Sequence, residues 1–142
     1  METKKYLEQV RRLDVQIKNE LEEIHSLRTM VNGIVGNNEG ERVQSSADKD
    51  KIGIIVAKIV DMEQEVDKMI DKRWEIVNQI KGIEDLTSYN ILTKAYVLGQ
   101  DFKEIAHCIN VSYRHFLRLH DKALSEFHDK YLKVGTQCHK VS

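Results

Sequence analysis

The chain has 142 residues, of which 41% are hydrophobic, 32% are charged and none is proline. This is enough apolar material for the core of one ordinary domain, or of a small domain with an extended helical element. An aromatic content of only 6% argues against a β-sandwich or β-barrel. No apolar run approaches the ~20 residues of a membrane span, and the first residues lack the apolar stretch of a signal peptide, so we expect a cytoplasmic protein with no membrane partner.

The formal net charge of −1 conceals an uneven distribution along the chain. Residues 1–32 are neutral overall, residues 33–85 have a net charge of −4, and residues 86–142 have a net charge of +3 and five of the six histidines. This local excess of basic residues favours a polyanionic partner for the last part of the chain, which the total charge alone does not suggest.

Residues 3–32 are predicted to form one long helix. Two apolar rows repeat every seven residues: Val10, Ile17, Ile24 and Val31 in the first, and Tyr6, Leu13, Leu27 and Ile34 in the second. Only Glu20 interrupts the second row. A heptad pattern of this length is typical of a coiled-coil-like seam.

Residues 33–47 have the composition of a loop. They include Gly33, Gly36 and Gly40 together with several asparagines and serines, which favour turns. The length is typical of a flexible or functional connection. The segment ends in V-Q-S-S, Val43–Ser46, for which a connector is the plainest interpretation.

Residues 48–81 are predicted to form a second long helix with a wider apolar stripe. Its heptad positions hold Ile52, Ile59, Val66 and Ile80 in one row and Ile55, Met62, Met69 and Ile76 in the other, widened by Val56, Ile70 and Val77. A stripe this wide is typical of a helix with more than one packing neighbour. We therefore expect residues 1–82 to form a long antiparallel hairpin that also mediates homo-oligomerisation.

Three shorter helices are predicted after Gly82, each beside residues typical of helix ends. They cover residues 88–98, 102–109 and 113–132. The expected capping residues are Thr87 and Gly99 for the first helix, Asp101 with Glu104 for the second, and Ser112 for the third. Residues 133–142 are predicted to be a flexible tail.

The last two of these helices have the pattern of a helix-turn-helix. Facing apolar residues are Ile105, Ala106, Ile109 and Val111 on one side and Phe116, Leu119, Ala123 and Phe127 on the other. The small Ala106 lets two helices cross closely, and the connecting I-N-V is a tight turn. The expected architecture is therefore all-α, with the hairpin followed by a helix-turn-helix module over residues 85–132.

The polar face of the last helix predicts contacts with double-stranded DNA. The second helix of a helix-turn-helix enters the major groove with its first turns, where arginine can donate two hydrogen bonds to a guanine edge. The candidate DNA-binding residues are Ser112, Tyr113, Arg114, His115, Leu117, Arg118 and Lys122. Of these, His115 and Lys122 are expected at phosphates, and Tyr113, Arg114, Leu117 and Arg118 at base edges.

The string F-K-E-I-A-H-C-I-N-V-S-Y-R-H-F-L-R-L-H-D-K-A-L-S-E-F, residues 102–127, resembles the last helix-turn-helix of bacterial sigma factors, which reads the −35 promoter element. The shared features are E-I-A at Glu104–Ala106, V-S at Val111–Ser112 and K-A-L at Lys122–Leu124. Asn110 replaces the usual glycine, and asparagine tolerates the left-handed conformation of such a turn. Tyr113 and Arg114 replace the usual arginine–glutamate pair, so the −35 sequence preference does not carry over.

From Lys4 to Leu132 the chain also resembles a family of small prophage-encoded proteins. The resemblance rests on the K-K-Y-L-E-Q-V-R-R-L-D helix at its start, on V-Q-S-S at Val43–Ser46 and on the sigma-like module. It implies a regulator of phage late-gene transcription.

Two other functions are compatible with these residues. In an adaptor, the hairpin would dock a protein such as RNA polymerase, and the helix-turn-helix would be only a fold. A DNA-packaging recognition subunit also combines a helix-turn-helix with oligomerising helices, and a ring of many copies in solution would favour it.

No constellation of residues predicts catalysis or metal binding. The histidines and the two cysteines, Cys108 and Cys138, lack zinc-finger spacing with a matching partner pair. The sequence contains neither a glycine-rich phosphate loop nor a nucleophile elbow. We therefore expect no enzymatic activity, no cofactor and no metal, and we expect Cys108 to be a small buried residue.

Overall fold

The computed structural model describes residues 2–37 and 46–133, and every regular element in these two ranges is helical. The α-helices are α1 (Glu2–Asn37), α2 (Ser46–Lys81), α3 (Leu86–Leu92), α4 (Phe102–Cys108) and α5 (Tyr113–Phe127). One turn of π-helix follows α3 at Thr93–Val97, and another follows α5 at His128–Leu132. The expected all-α class is confirmed. Although α1 and α2 each have 36 residues, no helix in these ranges is apolar enough over a sufficient length to cross a membrane.

The connection between the two long helices is shorter than predicted. Helix α1 continues through Gly33 to Asn37, and α2 begins at Ser46, so the predicted loop over residues 33–47 is wrong at both ends. The apolar heptad row reaches Ile34, and packing along that row outweighs the ~1 kcal/mol that a glycine costs in a helix interior. Of the V-Q-S-S segment, Val43–Ser45 lie outside the described residues.

The chain divides into two compact units. One is Asp14–Asp71, here called the hairpin unit; the other is Met1–Leu13 together with Lys72–Ser142, here called the composite unit. The division therefore does not fall near residue 82, where the sequence suggested a boundary. The first 13 residues and the last turns of α2 belong with the short helices.

In the hairpin unit, α1 and α2 pack side by side in antiparallel directions. Their seam buries Ile24, Ile59 and Val66, which are at most 6% exposed. Half-buried neighbours complete it: Ile17, Leu27, Ile55, Met62 and Ile70. All eight residues belong to the predicted apolar stripes, so the heptad interpretation is confirmed here.

The composite unit has a core to which both chain ends of the hairpin contribute. Leu7 and Val10 from α1 and Ile76 and Ile80 from α2 are fully buried or nearly so, in one cluster with the second half of α5. The α5 residues in this cluster are Ala123, Leu124 and Phe127. The helices that the sequence assigned to a separate hairpin therefore form part of the support for the last helix.

The start of α3 corrects the predicted cap. Asp85, rather than Thr87, is the N-cap: its carboxylate accepts a hydrogen bond from the Ser88 amide at 3.1 Å. The Ser88 hydroxyl lies 2.9 Å from the same carboxylate and 2.8 Å from that of Glu126 on α5. The hydrogen bonds from Ser88 hold the pKa of Asp85 below its usual value. Both Asp and Thr are good capping residues. Asp85 is the cap here because the buried Ser88 makes hydrogen bonds to its carboxylate with both its amide and its hydroxyl.

Candidate nucleic-acid interface

The turn between α4 and α5 is closed by backbone hydrogen bonds around a left-handed asparagine. Asn110 has φ +60°. This left-handed conformation is the one expected at a position where the sigma-like module usually has glycine. The Val111 amide donates to the Ala106 carbonyl at 3.0 Å, and the Asn110 amide donates to the His107 carbonyl at 3.1 Å. This pair of bonds is the Schellman motif, which satisfies carbonyls left open at the end of a helix. The direction in which α5 leaves the turn is thus set by the backbone.

Helix α5 begins at the predicted residue. Ser112 is the N-cap, and its hydroxyl accepts a hydrogen bond from the His115 amide at 3.1 Å. At the preceding helix, Asp101 caps as expected, but its carboxylate accepts from the Lys103 amide at 3.2 Å and not from Glu104. The starts of α4 and α5 are therefore fixed by local hydrogen bonds.

Gly99, the predicted C-terminal cap of the first short helix, has φ +67°.

The first half of α5 is anchored by a second core cluster. Phe116 is fully buried with Ile91 of α3 and Ile105 and Ala106 of α4. The Phe102 ring packs against Phe116, with their centroids 5.2 Å apart. Half-buried Ile109, Val111 and Leu119 surround them. The facing apolar surfaces predicted for these two helices are confirmed, with the difference that Ala123 and Phe127 pack on the ends of α1 and α2.

All seven candidate DNA-binding residues are exposed. They are Ser112, Tyr113, Arg114, His115, Leu117, Arg118 and Lys122. At about 100° per residue, Arg114 and Arg118 lie one turn apart on the side of α5 opposite the buried Phe116. Tyr113 and Leu117, which are 43% and 38% exposed, lie on one flank of the arginines.

The opposite flank of α5 holds the other two basic candidates. His115 and Lys122 lie there by helical spacing, and His115 also lines a shallow groove with Leu86, Thr87, Asn90 and Leu119. The same exposed face includes one acidic residue, Asp121, three positions after Arg118. The first turn is therefore purely basic and aromatic, and the acidic group enters only in the third turn.

The two compact units carry opposite charge. The composite unit has 15 Lys/Arg and 10 Asp/Glu, a net charge of +5, whereas the hairpin unit has 7 and 13, a net charge of −6. The difference in net charge between the two units is larger than the difference between consecutive segments of the sequence. The reason is that four basic residues of α1, namely Lys4, Lys5, Arg11 and Arg12, belong to the composite unit. The exposed face of α5 thus belongs to the positively charged part of the molecule.

A buried histidine behind the exposed face escaped the sequence interpretation. His120 is 4% exposed, and its Nε2 lies 2.7 Å from the hydroxyl of Tyr96. Burial lowers the pKa of His120 and raises the pKa of Tyr96. Both directions favour the uncharged forms, in which the Tyr96 hydroxyl donates a hydrogen bond to Nε2 of the His120 ring. The sequence feature that could have indicated its burial is its position four residues after Phe116, on the apolar face of α5.

The sequence interpretation of Cys108 is wrong. The side chain is exposed at the C-terminus of α4, because the buried side of this seven-residue helix is occupied by Ile105 and Ala106. Cys138 and His139 lie outside the described residues. Within residues 2–37 and 46–133, no three His, Cys, Asp or Glu residues come close enough to hold a metal ion.

The chain belongs to the DUF1492 family, described as protein of unknown function, whose model matches residues 36–128. The matched range includes the whole of α2, α3, α4 and α5, and therefore the turn and the exposed basic face. Neither the curated proteins nor the solved structures contain a significant match to the chain.

Proposed function

We propose that this member of the DUF1492 family is a phage or prophage transcription regulator that binds double-stranded DNA through α4, the Asn110 turn and α5. The observation that carries the proposal is the exposed basic face at the start of α5. Arg114 and Arg118 project away from the core there, on a helix whose position is fixed by the Ser112 cap and by the turn. The phage assignment rests on the resemblance of Lys4–Leu132 to prophage-encoded proteins.

The residues on this face have different roles in the proposal. Arg114 and Arg118 would donate paired hydrogen bonds to guanine edges, with Tyr113 and Leu117 beside them against bases. His115 and Lys122, on the other flank, would contact phosphates. The amides of Tyr113 and Arg114 precede the first intrahelical hydrogen bonds and favour a phosphate at the helix start.

The charge separation supports the same assignment. A unit of net charge +5 is attracted to DNA, whereas a unit of net charge −6 is repelled by it. The composite unit would therefore contact DNA, and the hairpin unit would associate with other copies of the chain. Binding should weaken as salt rises, because phosphate contacts release counterions.

An adaptor remains the second candidate function. It is favoured by the acidic hairpin unit, which also exposes apolar side chains such as Leu21 and Val60. A surface of that kind suits a protein partner such as RNA polymerase. A DNA-packaging recognition subunit would use both units, as the regulator does, but in a ring of many copies.

The proposal is tested by retention of sheared DNA from the prophage and its host on the full chain, followed by sequencing at two salt concentrations. We expect enrichment of a short region that is lost in Arg114→Ala/Arg118→Ala, at about 1–3 kcal/mol for each paired contact. The matched control is Lys18→Ala/Lys58→Ala, which removes the same charge from exposed positions of the hairpin unit and should retain the region. If the wild-type chain retains no DNA even at low salt, the DNA-binding function is wrong.

A further inference from the structure

The hairpin unit has a groove along one face, between α1 and α2. We call it the Arg28 groove and define it by Leu21, Arg28, Val56, Val60, Glu63, Asp67 and Ile70. Its floor is formed by the buried seam residues Ile24, Ile59 and Val66. Three of the apolar side chains on its rim are about half exposed: Leu21 at 50%, and Val56 and Val60 at 45% each.

The residues of the Arg28 groove follow one another in three levels along the hairpin. Leu21 lies with Ile70 at one end of the groove, and Arg28 forms an ion pair with Glu63 at its centre. Val56 and Val60 lie at the other end, beside Asn32. The groove is thus mainly apolar at both ends, with the exposed Asp67 at the Leu21 end. One positive and one negative side chain lie at its centre, and both are about half exposed.

We infer that the Arg28 groove packs against the same groove of a second copy of this chain, with the two-fold axis parallel to the helices. Each α1 then lies opposite α2 of the other copy. All four neighbouring helix pairs are antiparallel, as in an up-down four-helix bundle. The interface is isologous, so each contact occurs twice.

Charge complementarity favours a second copy of this chain as the partner, and it favours a two-fold axis parallel to the helices over a perpendicular one. With the axis parallel to the helices, Arg28 of each copy faces Glu63 of the other, so that two positive and two negative side chains alternate around the centre. A two-fold axis perpendicular to the helices would instead place Arg28 opposite Arg28 and Glu63 opposite Glu63. Like charges face each other in that arrangement and destabilise it.

The size of the face is sufficient for a specific dimer. At ~1.5 Å per residue, the part of α1 within the hairpin unit extends for about 35 Å, and two adjacent helices are about 20 Å wide. Two such faces would together bury about 1,400 Å², within the range of specific protein interfaces. The half-exposed apolar side chains of the rim would then be removed from water on both sides of the central charges, which stabilises the interface.

The arrangement deepens the proposed function and rests on it for its purpose. Because the axis is parallel to the helices, residues 13 and 72 of both copies leave the bundle at the same end. Both composite units are therefore connected to that one end of the dimer. A dimer thus has two copies of the α5 face, and binding of both to DNA would double the number of contacts.

Sedimentation equilibrium of the full chain, without DNA, tests the interface. The wild-type chain should be a dimer, and Val60→Glu should raise the dimer dissociation constant about a hundredfold, because it would bury an unpaired carboxylate. The matched control is Ile54→Glu, which adds the same charge to α2 at a residue that is 70% exposed and outside the groove. A monomeric wild-type chain, or an equal effect of the two variants, would overturn the inference and leave the groove to another protein.

A mixing experiment tests whether the central charges of the two copies meet across the interface. Arg28→Glu alone and Glu63→Arg alone should each dissociate, because four like charges then meet at the centre of the bundle. An equimolar mixture should form a heterodimer, in which each introduced glutamate faces an introduced arginine of the other copy. Mixing cannot restore a pair that exists only within one chain, so two variants that stay monomeric when mixed would overturn the packing of the Arg28 groove against a second copy.

The folding of each variant is checked by its helical circular dichroism. A variant that loses helicity is replaced in the comparison by Val60→Glu against Ile54→Glu, which leaves the ion pair intact. Arg114 and Arg118 are unchanged throughout, and no DNA is present. Failure of the dimer therefore leaves the DNA-binding proposal standing, and failure of DNA retention leaves the dimer standing.

Discussion

The hairpin unit and the composite unit are stabilised in different ways. The hairpin unit consists of parts of two 36-residue helices joined by one repeating seam, whereas the composite unit contains two helices, α3 and α4, of only seven residues each. An isolated helix is marginal in water even at about 12–15 residues. A seven-residue helix therefore persists only through its neighbours, and the composite unit supplies them from all five helices.

The same contrast extends to what each unit exposes. The hairpin unit is acidic and has a half-exposed apolar rim, which suits a protein neighbour. The composite unit is basic, and the exposed side of α5 begins with Tyr113 and Arg114. Chain segments that are adjacent in one long helix thus belong to surfaces with different partners, and the comparison can be tested by perturbing one unit at a time.

The largest effect is expected from Phe127→Ala. Phe127 is fully buried, and its ring lies 5.8 Å from that of Tyr6 and 5.0 Å from that of Tyr131. The cavity should lower the free energy of unfolding by about 3–5 kcal/mol. Hydrogen exchange should show the loss of protection in α3–α5 and in the ends of α1 and α2, measured residue by residue.

Two controls sharpen this test. Leu86→Ala, at a residue 78% exposed, should change the stability by less than about 0.5 kcal/mol. Ile24→Ala, in the seam of the hairpin unit, should lower protection mainly within residues 14–71. If Phe127→Ala and Ile24→Ala lowered protection equally everywhere, the two units would unfold as one, and the comparison would fail.

A smaller effect is expected at the turn of the composite unit. Asn110 has φ +60°, which costs an L-residue such as alanine about 1–2 kcal/mol. Asn110→Ala should therefore lower the urea midpoint, and Asn110→Gly should leave it equal or raise it. Equal destabilisation by alanine and glycine would show that the Asn110 side chain, and not the left-handed backbone, stabilises the turn.

The smallest effect is a pH dependence confined to the composite unit. Burial lowers the pKa of His120 in the folded chain, although Asp121 raises it and Lys4 lowers it further. The unfolded chain therefore binds this proton more readily. Stability from this group is fully present above about pH 6.5, the value for a free histidine, and is lost as the pH falls from there through the folded pKa.

Urea unfolding between pH 7.5 and 5 measures this dependence. His120→Gln should reduce the slope below pH 6.5, because it removes the group whose pKa burial lowers. A wild-type stability that rises as the pH falls over this range would contradict a neutral buried His120. In that case the His120 ring that contacts Tyr96 would have to be protonated in the folded chain.

Much of the proposed interface was predictable from local sequence. The Ser112 cap, the left-handed Asn110 and the exposure of Arg114 and Arg118 all follow from rules that act over a few residues. The burial of His120 was not predicted and Cys108 was wrongly predicted to be buried, because the exposure of both side chains is decided by which helices lie beside α4 and α5. A polar residue at an apolar position, such as His120, needs a partner that only the fold can identify as Tyr96.

By itself, the sequence determined the helical class, the seam of α1 and α2 and the starts of α4 and α5, because helix periodicity and capping are local properties. The tertiary structure decided which segments share a core. It placed Leu7 and Val10 with Phe127, drew four basic residues of α1 into the unit of α5, and chose Asp85 over Thr87 at the start of α3. These features depend on packing between apolar side chains that are far apart in the chain. The pattern along a single helix does not specify which distant helix its apolar face will pack against.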